Sequence, residues 1–340
     1  MKRNAFLLMF FLGWSSNLYA QAPFYKGKTI RIVAGMGDVY EVWARLFAQY
    51  MGKHIPGNPN IIVQGMPGAG SLIAANYVYN MAKPDGLTLG ATTSTLYFDQ
   101  LIGRKEVQFD WSMFTWVGSP VRNEYMVYMR ADTPYQTIED IRGATEPPKC
   151  GATGTTSSAY YLPKLFEETL GLKFRIVTGY AGGGDIDLAV ERGEVQCRPM
   201  TIEAFFAREP FLTWHKTGFV RTIIQTGRKR NPKLPDVPTV YGLMDQYKTP
   251  EGSRRLATVI LSGGALGRPL LGTPGIPPDR VKILREAYAQ TLRDPDFLAE
   301  VKRRKYELEP ISGEEMEALA KEVIAQPPEV IERMKKLLGK

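Results

Sequence analysis

Between Lys28 and Thr93 short apolar runs alternate with amphipathic ones, and glycine marks each passage from the first kind to the second. KTIRIVAG (28–35) has strand character, and the stretch after it carries Val42, Leu46, Phe47 and Tyr50 at helical spacing. NIIVQG is a second strand, SLIAANYVYNMAK a second helix and LTLGATT a third strand after the turn KPDG. Strands separated by single helices favour a parallel sheet with right-handed crossovers. The expected fold class is therefore α/β.

An aromatic-rich stretch from Tyr97 to Trp116 leads to FTWVGSP and YMVYMRADTP, two strands expected near a crossover. A second unit follows. TIEDIRG reads as a short helix opened by Thr137, with Glu139 and Asp140 placed to suit its dipole. KCGATG, FRIVTGY and VQCRPM are strands, SSAYYLPKLFEETLG and AGGGDIDLAVERGE helices, and AFFAREPFLTWHKTG a helix interrupted by Pro210. RTIIQTG closes the unit. RKRNPKLPDVPTV then reads as a proline-rich return linker, and LATVILSGGALGRPLLGTPGIP as a strand with glycine-proline turns. PPDRVKILREAYAQTLRD and SGEEMEALAKEVIA are helices, the latter opened by a Ser312–Glu315 capping box.

The first twenty residues, MKRNAFLLMFFLGWSSNLYA, place Lys2 and Arg3 before an apolar run and small residues, the three-part pattern of a secretory signal cleaved near Ala20. Periplasmic export follows as the expectation. The net charge of +8 falls to +6 without Lys2 and Arg3. The basic runs GRKR (227–230) and KRRK (302–305) read as solvated faces, and nucleic acid is not an expected partner. Two histidines, His54 and His215, lack partners at ligand spacing, so no metal and no cofactor is expected. No G-x-S-x-G elbow offers a hydrolase nucleophile, and the chain is not expected to be an enzyme.

Four strand-to-helix junctions share one chemistry: AGMGDVYEVW, QGMPGAGSLI, ATGTTSSAYY and GYAGGGDIDL. Helix starts at the carboxyl ends of parallel strands present unpaired N–H groups and a partial positive charge to anions. No lysine follows these glycines as a P-loop requires, and the first junction has Tyr40 where a dinucleotide fingerprint needs a third glycine. Two such units in an exported chain point to two lobes closing on a small anion.

FYKGKTIRIV, ARLFAQYMGKHIPGNPNIIVQGMPGAGSLIAANYVYNMAKPDG, TGYAGGGDIDLAVERGEV, LPDVPTV and GRPLLGTPGIPPDRVKILREAYAQTLRDPDFLAE resemble the solute-binding receptors of tripartite tricarboxylate transporters, from about Phe24 to the C-terminus. The resemblance implies a type II periplasmic binding protein: two doubly wound α/β lobes joined by a two-strand hinge. Lobe one takes residues 24–120 and 236–340, lobe two 121–235. It also implies a monomeric receptor that captures a small carboxylate by hinge closure and delivers it to integral-membrane permease subunits. The alternative is a ligand-sensing receptor of a signalling system on the same fold.

Carried over residue by residue, the resemblance puts Pro67, Gly68, Ala69, Gly70, Ser71, Thr92 and Thr93 on the first lobe's wall. Thr155, Thr156, Ser157, Ser158, Tyr180, Gly182, Gly183 and Gly184 form the second lobe's. The first junction departs from the family pattern. Gly37 is followed by Asp38 and Tyr40 where small glycines are expected, with Glu41 in the acidic position, which implies altered specificity. Arg198 is a candidate cation for the carboxylate, with a surface or hinge ion pair as its alternative. Cys150 and Cys197 close the first and third strands of lobe two, neighbours in a doubly wound order. A disulfide is expected there, with two buried thiols as the alternative.

Overall fold

A computed structural model describes residues 23–35, 39–153, 157–180 and 183–338. The leader, the tip of the first junction with Gly37 and Asp38, and Thr155, Thr156 and Gly182 lie outside the described residues. In chain order the strands are β1 (Thr29–Ala34), β2 (Asn60–Gly65), β3 (Thr88–Ala91), β4 (Thr115–Ser119), β5 (Tyr125–Arg130), β6 (Lys149–Gly151), β7 (Arg175–Val177), β8 (Cys197–Thr201), β9 (Val220–Gln225), β10 (Leu270–Gly272) and β11 (Ile311–Ser312). They form two sheets, ordered β11-β4-β10-β3-β1-β2 and β7-β6-β8-β5-β9.

In the first sheet β1 pairs in parallel with both β2 and β3, as strand-helix-strand alternation requires, while β10 runs antiparallel between β3 and β4. In the second, β6 is parallel to β7 and β8, and β5 runs antiparallel between β8 and β9. Helices cover the parallel strands because those strands are apolar on both faces. Thus Ile30, Ile32 and Val33 of β1 are fully buried between the helices Val39–Tyr50 and Leu72–Asn80 and the elements packed behind them.

The chain leaves the first sheet between β4 and β5 and returns after β9. Both passages are pinned by backbone bonds. Asn123 N–H donates to Gly264 O (2.9 Å), Tyr125 N–H to Thr226 Oγ1 (2.8 Å) and Thr226 N–H to Tyr125 O (2.9 Å). Gln225 is fully buried and organises the proline-rich return. Its amide donates to Leu234 O and Val237 O and accepts from Asn231 N–H, so no polar group of the turn is stranded.

Three local features differ from the sequence expectation. Glu251–Ala265 is a fifteen-residue helix where a strand and turns were expected, since the β-branched TVI and the pair Gly263-Gly264 argue against helix locally. Its residues Leu256, Ala257, Val259, Ile260 and Leu261 are buried, and tertiary burial overrides the propensity. This helix and the helices Val240–Gln246 and Pro328–Leu337 lean on the second unit's helix Ser158–Leu170. Thr249 Oγ1 donates to Thr169 O (2.6 Å), and Arg333 pairs with Glu168. The segment after residue 236 therefore supplies β10 and β11 to the first sheet and these helices to the second unit's flank. Around Pro210 two short helices, Ile202–Phe205 and Phe211–Thr217, replace a single one.

The caps show how sequence signals are used. Thr137 and Asp140 form a reciprocal capping box. At Ser312 only half the box exists: Ser312 Oγ accepts from Glu315 N–H (3.1 Å), but the Glu315 carboxylate pairs with Arg122 at 2.7 Å instead.

Candidate functional site

The carboxyl ends of β1, β2 and β3 converge on one edge. There Gly68, Ala69, Gly70 and Ser71 all have positive φ (147°, 46°, 65° and 76°), a run that only strong local support sustains in the non-glycine residues. The support is visible. Thr93 Oγ1 donates to Gly70 O (2.9 Å), and Thr93 N–H donates to Ser71 Oγ (3.2 Å). Gly35, ending the first strand, lies so close that a Cβ there would sit 2.7 Å from Ser71 Cβ. The turn runs directly into the helix Leu72–Asn80, whose first N–H groups have no partner within the helix and suit an anion. Pro67, Ala69 and Gly70 are exposed, while Ser71 and Thr92 are fully buried. Thr92 Oγ1 has no hydrogen-bond partner among the described residues, unusual for a buried hydroxyl.

Tyr40, in the first turn of the helix Val39–Tyr50, reaches back over this edge. Its hydroxyl lies near Ser94, whose own hydroxyl donates to Gly263 O (2.6 Å). Burial pushes the phenol up to about 12, helped by neighbouring Tyr125 and opposed by Arg268. Tyr125 opens β5, and its phenol lies near that of Tyr161 on the second unit's helix Ser158–Leu170. Phe98 of the first unit meets Tyr161 edge-on at 6.4 Å. Arg268 completes the group. Its Nη2 is 3.7 Å from Glu203 Oε2, its N–H donates to Ser119 Oγ (2.8 Å), and its Nη1 is buried with no partner among the described residues. Burial raises the Glu203 carboxyl above its ordinary range, with Arg268 pulling it back.

On the second unit Ser157 and Ser158 stand at the start of the helix Ser158–Leu170, both partly buried, and Tyr180 lies beside Gly151 and Ile186. Gly183 and Gly184 open the helix Gly183–Glu191. Arg198 sits directly beneath that turn. Its Nη1 donates to Gly183 O (3.0 Å) and pairs with Asp187 at 2.5 Å, and Asp187 also accepts from the Tyr128 hydroxyl (2.8 Å). Both carboxylate and guanidinium are largely buried, so the pair braces the glycine turn from within: Arg198 does form an ion pair, but a buried one and not one at the surface. A Cβ on Gly183 would lie 2.2 Å from Arg198 Nη2, which is why glycine stands there. Cys150 and Cys197 face each other across β6 and β8, Cα atoms 4.5 Å apart, joined as a disulfide.

Sequence reasoning did not single out Ser94, Tyr125, Tyr161 or Arg268. Arg268 stands alone in GRPLLG, and only the approach of Val121, Tyr40 and Tyr125 from distant parts of the chain gives it a setting. His54 bonds Asp294 (2.8 Å) and His215 packs edge-on against Phe205 and Phe206. A cavity of about 370 Å³ is lined by Val121, Arg122, Glu124, Glu203, Lys233 and Glu307 among others, so it shares Glu203 with Arg268.

Two mixed α/β sheets, joined by paired crossings and presenting glycine turns at the carboxyl edges of their parallel strands, define a two-lobed solute-binding protein. Residues 43–336 match the model of the tripartite tricarboxylate transporter family receptor, and the chain belongs to that family. Solved structures share its fold. A TctC solute binding protein from Polaromonas, with no ligand, is 20% identical, with a TM-score of 0.70 over 93% of this chain and 99% of that one. MatC from Rhodopseudomonas palustris with bound malate is 19% identical, TM-score 0.55, over 92% and 99% of the two chains. An R. palustris protein with adipate is 19% identical, TM-score 0.56, over 92% and 98%. No curated protein sequence matches the chain significantly.

Proposed function

We propose that the protein is an exported, periplasmic receptor that holds a small carboxylate between its two units and hands it to a membrane permease of the tripartite type. The single observation that carries the reading is the left-handed Gly68–Ser71 turn, locked by Thr93 and Gly35 at the sheet edge of a chain that belongs to this receptor family. The helix that the turn opens offers N–H groups to an anion, and the Thr92 and Thr93 hydroxyls stand beside the turn. Malate and adipate in relatives of the same fold agree in chemistry, both being small dicarboxylates.

Ligand binding would act by favouring one arrangement of the two units, through contacts made on both sides at once. The protein acts by binding alone, without catalysis and as a monomer. A thermal-shift panel of mono-, di- and tricarboxylates, amino acids and aromatic acids tests this reading. A ligand at a hundredfold its dissociation constant contributes about 2.7 kcal/mol of stability, an easily measured shift. A panel with no stabilising carboxylate contradicts the proposal.

A further inference from the structure

We infer that Arg268, not Arg198, is the formal cation that reads the ligand's carboxylate, and that it does so from the crossing end of the cleft. The inference rests on the receptor reading and sharpens it. Arg198 has its charge matched by Asp187 and one amine bonded to Gly183 O. Arg268 is differently placed. It is seven-eighths buried, and among the described residues its acidic partner is Glu203 at a long 3.7 Å and its Nη1 has no acceptor. Among the described residues the other arginines with an unpartnered buried nitrogen, Arg31, Arg198 and Arg221, lack a partner only at Nε.

Its surroundings belong to the site. The segment that carries Arg268 is joined to this edge: Ser94 Oγ donates to Gly263 O (2.6 Å), and a Cβ on Gly264 would stand 3.2 Å from the ring of Tyr125, the residue that opens the strand entering the second unit. A buried, partly unpaired guanidinium among phenols favours an incoming carboxylate strongly, since charge-assisted bonds to carboxylate gain from the low local dielectric. The occupant this geometry selects is a carboxylic acid with one carboxylate on Nη1 and its remaining portion between the Tyr40 phenol and the Gly68–Ser71 turn. Arg268 belongs to the first sheet's side, and Glu203 and Tyr161 to the second unit. A carboxylate on Nη1 therefore lies where the two units meet.

The test compares an acid with its own neutral amide. Malate, adipate and 4-hydroxybenzoate, each with the corresponding carboxamide, are titrated calorimetrically into the wild-type protein, Arg268→Gln and Arg268→Lys. Wild type should prefer at least one acid over its amide by about 30-fold or more, Arg268→Gln by no more than about threefold, and Arg268→Lys by an intermediate ratio, because it keeps charge but not the planar fork. An Arg268→Gln variant that binds with the wild-type acid-to-amide ratio overturns the inference and leaves the receptor reading standing. A wild-type protein that binds none of these acids overturns both. Should the Gln variant fail to fold, guanidinium ¹⁵N NMR of the wild type decides. The Arg268 signal must shift on saturation with acid and not with amide, and an unmoved signal overturns the assignment.

Discussion

Replacing Gly35 with alanine tests whether the sheet-edge geometry holds the binding turn. A Cβ at this position would stand 2.7 Å from Ser71 Cβ, 2.8 Å from Ser71 Oγ and 3.0 Å from Ala74 Cβ. Carbon atoms pack best at about 3.5–4.0 Å, so Ser71 and the start of its helix must move by several tenths of an ångström. Overpacking of this kind costs about 1–3 kcal/mol. Gly65 at the end of β2 is the matched control, because a Cβ there meets nothing within 4 Å and its φ is not positive. Gly65→Ala should leave stability within about 0.5 kcal/mol.

Urea unfolding of both variants gives the comparison, and a carboxylate titration gives its functional side. Gly35→Ala should be the less stable and should also bind more weakly, since the displaced Ser71 releases Thr93. Adding Ser71→Gly removes the two nearest colliding atoms and should restore about 1 kcal/mol beyond additivity. Equal stability of Gly35→Ala and Gly65→Ala, with binding unchanged, would refute the claim that this close approach positions the turn.

Reduction of the Cys150–Cys197 bond opens a loop with a sequence separation of 47, worth about 4 kcal/mol in the chain-entropy account, so urea midpoints should fall in reductant. Two titratable thiols in the natively exported protein would contradict the bond. Asp294 caps the helix Pro295–Arg303 and is buried against Lys53 and His54. Chiefly the Lys53 hydrogen bond, then His54 and the Phe297 and Asp296 N–H groups, hold its carboxyl far below the usual range against the opposing effect of burial. A depressed folded pKa gives stability that is fully present above the unfolded carboxylate value, about 3.9, and is lost as pH falls below it. Asp294→Asn should therefore flatten the acid limb of a stability profile, and Asp294→Ala should cost about 2–4 kcal/mol near neutral pH. A wild-type-like acid limb in the Asn variant would remove this residue from the account. Thr92→Val deletes an unpartnered buried hydroxyl, so it should leave stability unchanged or slightly raised while weakening carboxylate binding. A loss of stability of more than about 1 kcal/mol would show that the hydroxyl has a structural partner.

Elements whose signals are local were legible in the sequence. Periodicity marked β1, β2, β3 and the helices between them, and glycines marked the junction edges, because both depend on neighbours a few residues apart. The adjacency of Cys150 and Cys197 followed from the strand order. The helix Glu251–Ala265 was hidden because its Thr258-Val259-Ile260 and paired glycines speak locally against it, and buried contacts with three other helices hold it. Arg198 looked like a site cation because sequence places it after a strand, whereas Asp187, eleven residues earlier on the preceding helix, pairs with its charge. Arg268 went unmarked for the opposite reason. Its setting is made by Tyr40, Tyr125 and Glu203, all more than sixty residues distant, and no local pattern encodes such a meeting.

A crystal structure of the exported protein in complex with whichever carboxylic acid stabilises it tests the central claim most directly. The account predicts the acid between the two units, touching the Gly68–Ser71 turn or the Thr92–Ser94 edge on one side and second-unit residues on the other, with a carboxylate on Arg268. An acid held by one unit alone, or bound with its carboxylates away from Arg268, would contradict it.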